Sequence, residues 1–205
     1  MVQQRAIFVD RDGVINENRA DHVKTWSEFV FEWGALDGLV KLAGLNLPII
    51  VITNQGAIGR GMTSCDAVEE IHRRMTIAVQ QAGGRIDGVL YCPHHPNDNC
   101  SCRKPRPGML VQAASRWNID LKRSFLIGDA ATDLEAGKAA GCQVALVKTG
   151  RGVEQLARLQ KLGKADFAVA ENLNDAAYWI CNQLACEQLE RTLLQAVPEF
   201  AVEAA

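Results

Sequence analysis

Aromatic residues are scarce in this chain of 205 residues, at 6% with only 2 tyrosines. The stacking platforms on which single-stranded nucleic acids are held are therefore missing. An excess of one charge is missing too. The 22 Lys and Arg nearly balance the 24 Asp and Glu, leaving a formal net charge of -2. No global field draws the chain to nucleic acid or to an anionic membrane. No run approaches the roughly 18 apolar residues of a membrane span. The opening MVQQRAIFVD lacks the apolar core of a signal peptide. The expectation is a cytoplasmic protein with neither a nucleic-acid nor a membrane partner. Repeats, low-complexity tracts and Pro-rich linkers are absent as well, so residues 1–205 read as a single domain. Hydrophobic content of 48% and charged content of 22% are globular values.

What the chain does have is a regular alternation of short apolar runs with helix-period segments. Strands are expected near residues 6–9, 49–52, 88–91, 124–127, 144–147 and 167–169. Helices are expected near 36–43, 66–81, 108–117, 132–140 and 154–162, with a last helix or pair over 172–194. Within 66–81, Val68, Ile71, Met75 and Val79 recur at steps of three and four, which gives one apolar face. Gly141 suits a helix stop. The pattern is that of an α/β doubly wound parallel sheet. Two long irregular stretches remain, 16–29 and 93–107, and loops of that length are commonly functional.

Open parallel sheets bind ligands beyond the carboxyl ends of their strands. Those ends read Asp10-Arg11-Asp12-Gly13, Thr53-Asn54-Gln55-Gly56 and Gly128-Asp129, with Asp133 a turn later. In extended backbone, residues two apart face the same way. Asp10 and Asp12 can therefore share a site, one attacking while the other moves a proton. A plain Asp-Gly turn is the alternative. Asp129 adds a hard oxygen ligand of the kind magnesium prefers, whereas Asp133 fits helix capping and first-turn charge. Thr53, Asn54 and the loop N–H groups after them suit phosphate oxygens, although TNQG also reads as a turn.

Seven cysteines are too many to ignore, and three of them cluster in CPHHPNDNCSCRKP. In a reducing compartment they read as ligands and buried thiols rather than as disulfides. Cys92, His94, Cys100 and Cys102 offer four donors for tetrahedral zinc, with His95 the alternative to His94. Four protein donors close the coordination sphere, which marks a structural metal and not a catalytic one. Arg103 and Lys104 follow at once. Arginine grips phosphate in a fork and lysine brings a compact charge, so the loop reads as a device that delivers two cations.

With these segments in order, the chain resembles the haloacid dehalogenase superfamily of phosphohydrolases. DRDGVIN at 10–16, TNQ at 53–55, Lys104 and GDAATD at 128–133 carry the likeness, over about residues 5–180. The resemblance implies a Rossmann-type sheet without a large cap domain, acting as a monomer on a small phosphorylated metabolite. It implies Asp10 as the nucleophile forming an aspartyl-phosphate and Asp12 as general acid and then base. Thr53 and Lys104 would stabilise the transferring group, and magnesium would sit on Asp10, the Asp12 carbonyl and Asp129. Contacts to substrate are expected from Asn54, Gln55, Arg103 and Lys104, and from Asn18 and Asp21 in the 16–29 loop.

CPHHP, CRKPRPGML, TNQGAIGRG and VKTGRG resemble the heptose bisphosphate 7-phosphatase subgroup, which serves nucleotide-activated heptose and lipopolysaccharide biosynthesis. The histidinol-phosphate phosphatase domain shares the zinc loop and CRKP, and the five residues between His94 and Cys100 are nearer its type. It stays the alternative. A zinc-stabilised binding module without catalysis is the rival from another class. The joint presence of Asp10, Asp12, Thr53, Lys104 and Asp129 speaks against it. Residues 186–205 lie beyond the likeness and are expected to form a helical tail.

Overall fold

The computed structural model describes residues 3–196. Six parallel strands form one sheet in the order β3-β2-β1-β4-β5-β6. They are β1 (Ile7–Val9), β2 (Ile49–Asn54), β3 (Gly88–Cys92), β4 (Phe125–Gly128), β5 (Gln143–Val147) and β6 (Ala168–Ala170). The helices are α1 (Ala35–Ala43), α2 (Gly56–Gly59), α3 (Cys65–Gln81), α4 (Gly108–Trp117), α5 (Ala131–Ala140), α6 (Gly152–Lys161) and α7 (Leu173–Ala196).

The strands are nearly all apolar because both faces of the sheet are covered. Ile7, Val9, Ile49, Val51, Phe125, Ile127, Ala145 and Val147 point to one face, where α1, α3 and α7 bring Leu39, Leu42, Ile71, Met75 and Ile180. Phe8, Ile50, Ile52, Leu126, Val144 and Leu146 point to the other, where Met109, Leu110, Leu134 and Leu159 arrive from α4, α5 and α6. The period of two within each strand thus sorts the core into two halves.

All six expected strands are present, with ends shifted by one or two residues. The six longer helices match in the same way, and α7 is one continuous helix. Residues 197–205, the end of the expected tail, lie outside the described residues. Four short elements were not foreseen: α2 and the 3-10 turns Trp26–Glu28, Pro96–Asp98 and Leu121–Arg123. Each is too short for a hydrophobic period to show.

Between β1 and β4 the chain order reverses, because β2 and β3 extend the sheet to one side and β4 to β6 to the other. Such switch points open a crevice at the carboxyl edge. Val9 pairs with Ile127 there, and the Asp10 N–H donates to the Ile127 carbonyl at 2.9 Å. The next register pairs, Thr53 with Tyr91 and Asn54 with Cys92, carry the edge on to the zinc-ligand loop.

Candidate active site

Asp10 leaves β1 and Asp129 leaves β4 as immediate neighbours, and α5 folds back so that Asp133 joins them. Carboxylate oxygens of Asp10, Asp129 and Asp133 lie within 4.8 Å of one another, and all three residues are buried. Lys104 threads between two of them. Its Nζ stands 2.8 Å from Asp10 Oδ1 and 2.6 Å from Asp133 Oδ1, and donates to the Ile52 carbonyl at 2.9 Å. A lysine only 3% exposed is held charged here because two carboxylates outweigh the cost of its burial. Its pKa is raised accordingly.

Three acids and one cation leave an excess of buried negative charge. Burial, then the neighbouring Asp133 and Asp12, push Asp10 up to about 6 against the pull of Lys104. Burial and Asp10 likewise raise Asp129, and burial and Asp129 raise Asp133. Strongly buried carboxylates that disfavour their own charge, with hard oxygens at ligand spacing, fit a divalent cation such as magnesium. Helix capping is the expectation that suits Asp133 best, beside its place near the strand-end carboxylates. Asp133 does accept from the Ala130 N–H at 3.0 Å, and it also belongs to this triad.

Asp12 points away from the triad into a different set of partners. The Arg11 Nη2 donates to both of its oxygens at 2.9 and 3.0 Å, the Asn16 amide at 3.0 Å and the Gln55 amide at 2.8 Å. Burial pushes its pKa up, but the Arg11 charge and these donors outweigh that and hold it low. Arg11 itself is 0% exposed and braced from behind by the His72 imidazole at 3.0 Å. Neither Arg11 nor His72 is among the site residues expected from the sequence. The available signals were a cation between two aspartates and a histidine in the apolar stripe of α3.

The other expected contacts divide. A cavity of about 520 Å³ is lined by Asp10, Asp12, Asn18, Thr53, Asn54, Arg103, Lys104 and Asp133, and on its rim by Arg19, His22 and Arg151. Asn54 spends its amide on the Lys104 backbone, accepting from the N–H and donating to the carbonyl, each at 3.1 Å. Gln55 stands behind the wall, donating to Asp12 and to the Thr53 hydroxyl at 2.9 Å. Asp21 is turned outward to Lys24 and Arg19 and is not part of the lining. Arg103 packs its guanidinium against Gly56, where a Cβ would come within 3.2 Å of Nη1.

In the 93–107 loop, His94 Nδ1 lies 3.5 Å from Cys92 Sγ and 3.2 Å from Cys102 Sγ, and Cys100 Sγ lies 3.5 Å from each of the other two sulfurs. A tetrahedral zinc with bonds of about 2.3 Å needs edges of roughly 3.8 Å between sulfurs. The four donors already stand near those corners. Burial and the other two sulfurs push the Cys102 thiol up to about 12, a cost that a bound cation reverses. His95 takes a different part, its Nδ1 accepting from the Asn97 N–H at 3.2 Å.

The switch-point sheet, the Asp10 and Asp129 strand ends and Lys104 are those of a HAD-like hydrolase, and residues 101–176 match the HAD-hydrolase-like family model. Comparison with curated proteins narrows this. The chain is 40% identical over 152 residues to a D-glycero-beta-D-manno-heptose-1,7-bisphosphate 7-phosphatase of Pseudomonas aeruginosa, covering 74% of this chain and 85% of that protein. It is 37% identical over 186 residues to one of Neisseria meningitidis serogroup A, covering 91% of this chain and 100% of the relative. Among solved structures, the D,D-heptose 1,7-bisphosphate phosphatase of B. bronchiseptica, complexed with magnesium and phosphate, superposes with a TM-score of 0.82 at 35% identity. That match covers 88% of this chain and 99% of the other. The chain belongs to the D-glycero-beta-D-manno-heptose-1,7-bisphosphate 7-phosphatase family.

Proposed function

We propose that the protein is a magnesium-dependent phosphomonoesterase that removes the 7-phosphate of D-glycero-D-manno-heptose 1,7-bisphosphate. The observation that carries this reading is the buried cluster of Asp10, Asp129 and Asp133, with Lys104 bridging Asp10 and Asp133 at the wall of the cavity. Family membership selects the sugar.

Asp10 attacks the phosphorus in line, forming an aspartyl-phosphate as the bond to the sugar oxygen breaks. Asp12 gives that oxygen its proton. To do so it turns from the Arg11 fork into the cavity, where it loses the donors that keep it ionised. In the second half Asp12 takes a proton from water, the water oxygen attacks phosphorus, and inorganic phosphate leaves with Asp10 restored. Lys104 Nζ and the Thr53 hydroxyl stabilise the phosphoryl oxygens. Asp10, Asp129 and the Asp12 carbonyl would hold magnesium, which supplies further charge neutralisation when bound. Cys92, His94, Cys100 and Cys102 would hold zinc, which fixes the loop carrying Arg103 and Lys104. Arg103 and Asn18 are among the contacts available to the sugar and its distal phosphate. Asn54 and Gln55 act one step back, by positioning Lys104, Asp12 and Thr53.

One sheet with helices on both faces supports the single-domain reading. No described helix is long and apolar enough to cross a membrane, and the thiolate ligands of the proposed zinc site suit a reducing, cytoplasmic setting. The test is phosphate release from the heptose 1,7-bisphosphate beside histidinol phosphate, in magnesium with zinc retained. The reading expects kcat/KM at least a hundredfold higher for the bisphosphate. A preference for histidinol phosphate overturns it.

A further inference from the structure

Asp129 is needed for the proposed metal, yet it is 0% exposed and is not part of the cavity lining, whereas Arg151 is. The Arg151 guanidinium lies on the carboxylate, with Nε 3.3 Å from Oδ2 and Nη2 3.2 Å from Oδ1. Its backbone N–H donates to Oδ2 at 2.9 Å. The other approaches to this carboxylate are crowded. A Cβ at Gly13 or Gly150 would fall 2.2 or 2.5 Å from Oδ2.

The backbone of this loop is anchored, and the side chain beyond it is half exposed. Thr149 donates to the Gly13 carbonyl at 2.7 Å and the Gly150 N–H to Glu32 at 3.2 Å. Beyond that anchor the Arg151 side chain is 49% exposed. Its fork contacts are long beside the 2.6 and 2.8 Å contacts of Lys104. A second positive charge arriving at the same carboxylate repels the guanidinium, and the half-exposed side chain already borders the cavity.

We infer that Arg151 is a two-position residue that determines specificity. In the magnesium-free protein it covers Asp129 as a resident counter-ion. When the cation binds, the guanidinium is displaced into the cavity, where it grips the phosphate that does not react. Metal loading and recognition of a doubly phosphorylated sugar are then linked, since the cation that completes the catalytic site also frees the distal-phosphate ligand. This rests on the metal site proposed above.

The test is calorimetric titration of magnesium into protein dialysed free of magnesium with zinc retained, for the wild type, Arg151→Gln and Asp129→Asn. Kinetics follow on the 1,7-bisphosphate and on the 7-monophosphate. Arg151→Gln is expected to bind magnesium about tenfold more tightly, a direction that structural damage does not produce. It is also expected to lower the ratio of kcat/KM for the bisphosphate over the monophosphate about tenfold, mostly through KM. Unchanged or weaker magnesium binding in Arg151→Gln overturns the inference, as does an unchanged substrate ratio. Full magnesium affinity in Asp129→Asn removes the metal site itself, and the inference falls with it.

Discussion

Asp10 sits where burial and two other acids disfavour its charge, and that has a measurable cost. Its pKa of about 6 in the fold, against 3.8 ordinarily, means that the folded state holds the proton more firmly than the unfolded chain. Ionisation above pH 6 therefore lowers stability, and the penalty disappears as the pH falls toward 4. Asp10→Asn should abolish turnover, by about a thousandfold or more. It should also raise the melting temperature of the magnesium-free protein by a few degrees at pH 8, with the gain shrinking toward pH 4. Thermal scans across that range check it. His72 has the opposite sign. Burial and then Arg11 depress it from 6.5 to about 3, so the unfolded chain binds the extra proton and stability drains away as the pH falls through that window. By pH 5 the loss is about 2 kcal/mol. His72→Gln, which keeps an acceptor for Arg11, should lose correspondingly less stability between pH 7 and 5 in urea titrations. Asp10, Asp12, Thr53 and Asp129 were legible because strand ends announce themselves as polar residues after apolar runs. Arg11 and His72 were harder to read, because a cation between two aspartates and a histidine in an apolar stripe announce burial without showing that the two meet.

Among the elements, the strands could be read because burial on both faces makes them continuous apolar runs. The four-residue α2 could not, yet it decides where the zinc loop rests. A Cβ at Gly59 would fall 2.2 Å from the His95 nitrogen, so the loop lies directly on this helix. Gly59→Ala should lift the loop and move Arg103 and Lys104, lowering kcat/KM at least tenfold while bound zinc, measured by atomic absorption, stays near one per chain. Cys102→Ser should behave differently. It removes a ligand, so zinc is lost and the loop is freed, and KM should rise severalfold while magnesium still binds. His94 against His95 was undecidable from spacing. The capping bond that occupies His95 exists only once the 3-10 turn has formed.

For the molecule as a whole, the two half-cores share a single sheet and should melt as one cooperative unit. α7 supplies Leu173, Ala176, Ala177 and Ile180 to the core. Beyond them it is increasingly exposed, tied back by the Arg5 to Glu187 pair at 2.7 Å. Ending the chain after Ala185 should lower the melting temperature by only a few degrees, whereas ending it before Leu173 should leave no folded protein. Near- and far-ultraviolet dichroism on both truncations checks this. The α/β class was legible from the alternation of apolar periods. A reversal of strand order follows from that doubly wound class, but which strand lies beside which was not legible, since apolar patterning carries no information on it.

Cys92 is at once the last residue of β3, paired with Asn54, and a corner of the thiol cluster. The metal is thereby referenced to the same hydrogen-bond ladder that carries Thr53, and Asn54 clamps Lys104 to that ladder from the other side. Between His94 and Cys100, His95 shares in this alignment through its seat on Gly59, whereas Asn97 to Asn99 are exposed. These exposed residues can be rewritten while the phosphoryl-binding groups keep their spacing, because the metal corner at Cys92 and the Asn54 clamp, not the loop tip, hold that spacing.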